Sequence, residues 1–587
     1  MYSDRSKFPL GAVVVIAAVL VFGCIILGAL LIPKFLNPIS QEATSQPGET
    51  VEAPRGSVAI DISSSNTKED WMNAVVKQFN SEQHKVASGE AIFVRVAHVT
   101  SGGSQKAILD GKDKPTVWSP GDQSWIDEAN QVWRDRNGTP LIAESCPATV
   151  LAPIGFAMWR PMAEALGWPD KPISWDDLVA LSSDPQGWGS IGHPEWGQFK
   201  FGHTHPDFSN TGLLMLTALA YSTVGQTSGL TADQVYSEPV EKAFAGLEQN
   251  TYHYGIQNRP LMQLLASRGP DYLHAITSAE AEVLKANAEF AKTMRFPLVF
   301  IFPSKGTYWS EQPYCILDGD WVTDTQREAA RIFRNYLLDL ERQNMAIDYY
   351  LRPVDENIVL RAPLTLDNGT DPRVTRSQVP SLASPTAEVS SAVKDVFHKT
   401  KKKATVVLLL DTSGSMEGEK IKGVVDSSVN FVKRLDTNDT IFAFGFGGSG
   451  IVQLGGGRSG DVSEELSRVL SGLFASGGTP LYDAICHVVE FINQQKTQDE
   501  ANGEKRLYGI VLLSDGQDTA STRTENQMLA CLPSGESVSG VKIFTIAYGS
   551  DADADLMQRI ANRTNGKTFK GDPESIESIY NAISAEQ

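Results

Sequence analysis

The chain has 587 residues, 41% of them hydrophobic and 21% charged, and its 51 Lys+Arg against 70 Asp+Glu leave a formal net charge of −19. That length exceeds one ordinary core, so several folded units are expected. The acidic balance leaves no basic excess to neutralise phosphates and excludes nucleic acid as an expected partner.

From Phe8 to Ile32 no charged residue occurs. A helix of ~25 residues at about 1.5 Å each spans roughly 37 Å, enough to cross a bilayer core with tilt. Residues 1–37 are therefore expected to be a cytoplasmic tip and a transmembrane anchor. Arg5 and Lys7 precede the run and only Lys34 follows closely. By the positive-inside rule the N-terminus lies inside and the bulk of the chain outside the plasma membrane, as a single-pass protein. The run is too long for the apolar core of a cleaved signal peptide. Val21–Cys24 approximates a bacterial lipidation motif, but Phe22 fits it poorly and the apolar run continues past Cys24.

Residues 38–56 are rich in Pro, Ser, Glu and Gly and read as a solvated linker. Between residues 57 and 364, β-like runs such as ATVLAPIGFAMW and PLVFIF alternate with helical runs such as NTKEDWMNAVVKQFN and DTQREAARIFRNYLLDLERQN. Alternation of this kind indicates an α/β domain. Residues 365–403 are low in hydrophobicity and are expected to be a second linker, with a short helix at Val389–His398. In residues 404–587 the runs ATVVLLL, TIFAFGF, RLYGIVLLSD and VKIFTIAYG are continuously apolar and separated by helical segments. Strands buried on both faces read in this way, so a doubly wound, mostly parallel sheet with its functional loops at the strand C-termini is expected.

Directly after ATVVLLL come Asp411, Ser413 and Ser415 in a D-x-S-x-S run. A carboxylate beside alternate hydroxyls supplies hard oxygen ligands, which suit Mg²⁺ or Mn²⁺. Thr479 in the SGGTP loop and Asp515, at the end of another apolar strand, supply two further oxygen donors. A serine-rich turn alone could merely cap a helix; three such motifs in order favour a metal site. Asp483, four residues after Thr479, reads as a carboxylate in a first helical turn.

These motifs closely resemble the metal-ion-dependent adhesion site of von Willebrand factor A domains, and the likeness covers nearly all of residues 404–587. It implies that Ser413, Ser415 and Thr479 touch the metal and that Asp411 and Asp515 act largely through water. It also implies a vacant coordination position that receives an acidic residue from a protein partner.

Residues 57–364 resemble bacterial extracellular solute-binding proteins of the two-lobed (type II) class, on pieces such as IDISSSNTKEDW, PTVWSPGDQSW, FGHTHPDFSNTGLLMLTALAY and EQPYCILDGDWVTDTQREAARIFRNYLL. The resemblance implies two α/β lobes crossed twice by the chain, near Cys146–Trp159 and near Pro297–Cys315. Hydroxyls and backbone donors at Ser63, Ser64, Ser65, Ser101, Gly102, Gly103, Ser119, Ser209, Asn210, Thr211 and Gly212 would then face a small polar or anionic solute. The same residue types also form ordinary caps and turns. Cys146 and Cys315 both fall on the implied crossings, where an interlobe disulfide is expected outside the cell. Cys486, on an apolar helix, reads as a buried free thiol.

His203 and His205 lack companions at ligand spacing and read as packed or hydrogen bonded. Gly445–Gly450 satisfies G-x-G-x-x-G, but IVQL follows where a dinucleotide site needs a helix, so a glycine-rich hairpin is expected. No serine triad can be assigned, and no enzyme activity is expected. The leading expectation is a membrane-anchored binding or adhesion protein. The alternative is a tethered solute-binding component of a transport or sensing system, whose terminal domain recruits a partner.

Overall fold

The computed structural model describes residues 52–571, apart from 208, 256, 505, 516, 534–539 and 550–551. The expected anchor at Phe8–Ile32 and nearly all of the first linker lie outside the described residues. Among the described residues no helix is long and apolar enough to cross a membrane. The described residues from Pro54 onward belong to one unit.

The described residues form three sheets. The first has the order β2-β1-β3-β9, from β1 (Val58–Ser64), β2 (Ile92–His98), β3 (Val117–Ser119) and β9 (Cys315–Ile316). β1 pairs in parallel with β2 and β3, and β9 closes the edge antiparallel to β3. The second sheet has the order β6-β5-β7-β4-β8, from β4 (Ile154–Trp159), β5 (Phe201–Thr204), β6 (Thr251–Gly255), β7 (Ala275–Ala279) and β8 (Leu298–Ile301). Each sheet is covered by helices over its own core, one around Ile60, Trp71, Phe79 and Phe333, the other around Phe156, Trp175, Leu219 and Phe300. These are the two lobes of an α/β domain.

The chain passes from the first lobe to the second through residues 148–153 and returns through residues 307–313. The passes are bridged at Ala148–Pro313, where Thr149 N–H donates to Gln312 O. A third pass follows at Leu351–Arg352, bridged to Leu151. There the Arg352 guanidinium grips Glu280 through two hydrogen bonds of 2.7 Å, with both side chains buried. Cys146 and Cys315 form a disulfide that ties the chain just before the outgoing pass to the chain just after the returning one; packed in a cluster with Trp118, Ile126 and Leu141, it lies within the first lobe and not between the lobes as expected.

The segment 365–403 differs from the linker expected for it. Ala387–Thr400 is a helix, and Val389, Ala392, Val393, Val396 and Phe397 are buried in the second lobe's core. Their spacing, i, i+3, i+4, i+7, i+8, is that of a helix with one apolar face, which a low average hydrophobicity conceals.

The third sheet has the order β12-β11-β10-β13-β14-β15, from β10 (Ala404–Thr412), β11 (Thr440–Gly447), β12 (Gly450–Arg458), β13 (Leu507–Ser514), β14 (Lys542–Tyr548) and β15 (Thr568–Gly571). All neighbours are parallel except β12, which forms an antiparallel hairpin with β11. Alternate residues of β10 serve opposite faces. Val406, Leu408 and Leu410 pack against Val424, Phe431 and Leu470, while Val407 and Leu409 pack against Leu481, Ile485 and Ile560. That is why the strand reads as one apolar run, and the sheet is doubly wound. The Gly445–Gly450 motif is the β11–β12 turn, with Gly447 opposite Gly450. Cys486 is not a free thiol: it is bonded to Cys531, at the end of the helix Glu525–Cys531, which packs on the helix Leu481–Ala501. The sequence separation of 45 gave no sign of that contact.

This third domain sits on the second lobe by the N-terminal edge of its sheet. Lys402, just before β10, lies 4.2 Å from the Tyr252 ring centroid. Leu507, at the start of β13, packs against both cores. Lys542, at the start of β14, donates to Tyr252 O at 3.2 Å, and Arg268 donates to Asn565, just before β15. The strand C-termini therefore point away from the second lobe.

Candidate metal-ion site

Four loops meet at the C-terminal edge of the third sheet. Ser476 N–H donates to Thr412 O (2.8 Å), Gly414 N–H to Gly477 O (2.9 Å), and Gly448 N–H to Ser476 O (2.6 Å). Thr479 N–H donates to Thr519 Oγ1 at 2.8 Å, and Thr519 N–H returns a bond to Thr479 O at 3.0 Å. Gly477 has φ +71°, and a Cβ there would stand 2.3 Å from Gly448 Cα, so only glycine fits the turn. The segments bearing Asp411, Ser413, Ser415, Thr479 and Asp515 are thereby held as one unit by the main chain.

Within it, Asp411 is fully buried and accepts from Ser413 N–H at Oδ1 (2.9 Å) and from the Ser514 hydroxyl at Oδ2 (2.5 Å). Burial pushes the Asp411 carboxyl above its usual range despite these donors, and the nearby Asp515 adds to the shift. The Ser413 and Ser415 hydroxyls are 3.0 Å apart, the first buried and the second exposed. Asp515 is buried, its Oδ1 has no hydrogen-bond partner, and its Oδ2 lies 3.8 Å from Lys420 Nζ. A buried carboxylate oxygen without a donor is costly unless something positive supplies the contact. Asp411, Ser413, Ser415, Thr479 and Asp515 thus offer an all-oxygen donor set of the kind that holds a hard divalent cation. Among the described residues no group of three or more His, Cys, Asp or Glu could do so instead.

Asp483 accepts from Thr522 N–H (2.7 Å), the Thr522 hydroxyl (2.9 Å) and the Arg523 guanidinium (2.9 Å), tying the helix Leu481–Ala501 to the loop after β13. Ser514, Thr519 and Lys420 take part in the site without having been singled out in the sequence, since a serine ending a strand and a lysine opening a helix carry no distinctive spacing.

The positions expected to face a solute fall at the strand C-termini of the two lobes. Ser63, Ser64, Ser65 and Ser119 end β1 and β3 and are buried. Ser101, Gly102 and Gly103 open the helix Ser101–Leu109, and Asn210, Thr211 and Gly212 open the helix Asn210–Val224 with Ser209 as its N-cap. Several of these groups already bond within the protein. Ser65 Oγ donates to Gln312 Oε1 at 2.6 Å and Ser119 Oγ to Pro313 O at 2.6 Å, while Ser101 Oγ accepts from Gly121 N–H at 3.0 Å. Lys68, overlooked in the sequence, is fully buried among them. Its ammonium donates to Ser65 Oγ (2.9 Å), Ser119 O (2.9 Å) and Gln312 Oε1 (3.1 Å), and burial lowers its pKa well below the usual lysine value. In the second lobe Thr211 Oγ1 accepts from Asn258 at 2.7 Å, and a Cβ on Gly212 would come within 2.0 Å of Thr204 O.

His203 and His205 are packed rather than ligating. His203 is hydrogen bonded to Glu248 at 3.0 Å, Tyr254 OH donates to the same carboxylate at 2.6 Å, and the His205 ring lies 4.9 Å from Phe397. Burial lowers the His205 pKa to about 3.

Comparison with known proteins agrees with this division. The family of bacterial extracellular solute-binding proteins matches residues 60–352, and the von Willebrand factor type A domain matches residues 404–568. The pig inter-alpha-trypsin inhibitor heavy chain H4 is 24% identical over 162 residues, which are 27% of this chain and 17% of that relative. Among solved structures, a candidate extracellular solute-binding protein of Bordetella parapertussis is 14% identical, covering 58% of this chain and 98% of its own, with a TM-score of 0.41. A von Willebrand factor type A protein of Catenulispora acidiphila is 16% identical, covering 32% and 43%, with a TM-score of 0.28. Both matched families resemble binding modules. Residues 60–352 thus form a domain of the bacterial extracellular solute-binding family and residues 404–568 a von Willebrand factor type A domain, joined in one chain.

Proposed function

We propose that this chain is a membrane-anchored, extracytoplasmic binding protein, held by Phe8–Ile32, whose type A domain binds Mg²⁺ or Mn²⁺ and through it an acidic residue of a protein partner. The observation that carries the reading is Asp515 Oδ1, buried and without a hydrogen-bond donor, on a carboxylate close enough to Asp411 to add to the rise that burial gives its pKa. The cation would supply a Lewis-acidic contact for a carboxylate. Ser413, Ser415 and Thr479 would hold it directly, while Asp411, oriented by Ser413 N–H and Ser514, would balance its charge with Asp515. The site faces away from the second lobe, which leaves it open to another protein. Both matched domain types resemble binding modules, so the reading is of a binding protein and not an enzyme.

Calorimetric titration of the full-length chain with Mg²⁺ and Mn²⁺ tests this. Saturable binding that Asp411→Ala abolishes is expected; a wild-type chain that takes up neither ion would overturn the reading.

A second reading makes the solute cleft primary, with the type A domain as recruiter of a partner. Ser65 and Ser119, however, are engaged by Lys68, Gln312 and Pro313. For this reason the metal site comes first.

A further inference from the structure

Lys420 stands at the second position of the helix Glu419–Arg434, directly after the loop that bears Ser413 and Ser415. A cation in a first helical turn opposes the helix dipole, so helix stability does not account for its place there. Its Nζ lies 3.8 Å from Asp515 Oδ2, and its side chain is 26% exposed against 5% for Asp515. The carboxylate is therefore fixed and buried, while the ammonium approaches it from the solvent side on a flexible stem. Asp515 Oδ1, on the same carboxylate, has no hydrogen-bond donor. One positive charge thus contacts one oxygen of a buried carboxylate whose other oxygen is left for a second cation.

We propose that Lys420 is an exchangeable counter-ion of the metal-ion site and its second contact for an acidic partner. This rests on the metal reading above. Without a divalent cation, the ammonium neutralises Asp515. With a divalent cation held by the site, Asp515 would need no lysine to neutralise it, and the Lys420 ammonium, repelled by the added charge, would turn outward toward a partner. A carboxylate that ligates a metal through one oxygen presents its other oxygen to the surroundings, and an ammonium with three rotatable donors can meet it there. The lysine therefore weakens metal binding in the absence of a partner and strengthens it in the presence of a carboxylate. Metal and acidic ligand are positively coupled, and the coupling is reciprocal.

The test measures Mg²⁺ affinity of the full-length chain by calorimetry, in sodium acetate and in sodium chloride of equal ionic strength, for wild type, Lys420→Gln and Lys420→Arg. In chloride, Lys420→Gln is expected to bind Mg²⁺ about tenfold tighter than wild type, the order of effect of removing a unit charge several ångströms from a divalent ion at a solvent-facing site. Acetate is expected to tighten Mg²⁺ binding more for wild type and Lys420→Arg than for Lys420→Gln, which keeps only the coupling through the metal itself. A second readout needs no bound metal: with a chelator present, Lys420→Gln should melt below wild type, because Asp515 loses its counter-ion, and Mg²⁺ should raise its melting temperature more. Mg²⁺ affinity that is unchanged or weaker in Lys420→Gln, with Asp411→Ala still abolishing binding, overturns the role of Lys420 and leaves the metal reading standing. Absence of Mg²⁺ binding in wild type and both variants overturns the two together.

Discussion

At the scale of single residues, the loops of the proposed metal site depend on groups outside the five oxygen donors. The Ser514 hydroxyl is a donor to the buried Asp411 carboxylate. Ser514→Ala removes that bond and should cost about 1–3 kcal/mol in a denaturant titration, the usual penalty for leaving a buried acceptor short of a donor. Loss of a few tenths only would mean that the carboxylate is satisfied otherwise. The loops that bear Asp411, Ser413, Ser415, Thr479 and Asp515 were legible in the sequence as strand-end positions, because each follows an apolar run or a Gly-Gly turn, where a doubly wound sheet presents its loops. Ser514, Lys420 and Lys68 were not. Their residue types are common at strand ends and helix starts, and only the fold shows what they face. The serines expected to face a solute were legible as strand-end positions, but the engagement of Ser65 and Ser119 by Gln312 and Pro313 comes from the returning pass, more than 190 residues away in sequence.

At the scale of elements, the helix Ala387–Thr400 carries the junction between the two domains. Phe397 is fully buried, with its ring centroid 4.9 Å from His205 and 5.7 Å from Tyr254. Phe397→Ala should therefore lower stability by about 3–5 kcal/mol, read by denaturant or calorimetric unfolding. A cost below about 1 kcal/mol would show that the helix is a surface strap. The short helix expected at Val389–His398 is present and extends over Ala387–Thr400; what the linker-like average composition of the segment concealed is its burial, with five residues on one helical face. The strands β10, β13 and β14 were legible for the opposite reason, being apolar throughout. The three-residue β3 and two-residue β9 are too short to leave any pattern, and their pairing is set by the crossings. The two disulfides divide along the same line. Cys146 and Cys315 flank passes whose existence the resemblance implied, whereas Cys486 and Cys531 meet only because two helices pack together.

At the scale of the whole molecule, the two domains are clamped by charges placed on either side of the junction. His398, at the end of the helix, is hydrogen bonded to Asp207 of the second lobe at 2.8 Å and faces Asp436 of the type A domain at 3.5 Å. Lys401 pairs with Asp439 at 3.5 Å, and Lys394 and His205 complete the surroundings. The two aspartates hold the His398 imidazolium so that its pKa rises to about 9, and His398 in turn draws Asp436 down to about 2. A histidine raised above its ordinary value of about 6.5 contributes stability that is complete below that value and is lost as pH climbs through about 9. The depressed Asp436 contributes above its ordinary value, near 4, and is lost toward pH 2. The clamp should therefore be strongest between about pH 4 and 6.5 and loosen from pH 7 to pH 10. Since the His398 side chain is 37% exposed, solvent screening limits the effect to about 1 kcal/mol. Calorimetric scans of the full-length chain should show the unfolding of the two domains drawing apart as pH rises over that range, and His398→Gln should show the separation already at pH 6 with little further change. Scans of wild type that keep one shape from pH 6 to pH 10 would mean that Leu507, Lys402 and Lys542 hold the domains together without the imidazolium.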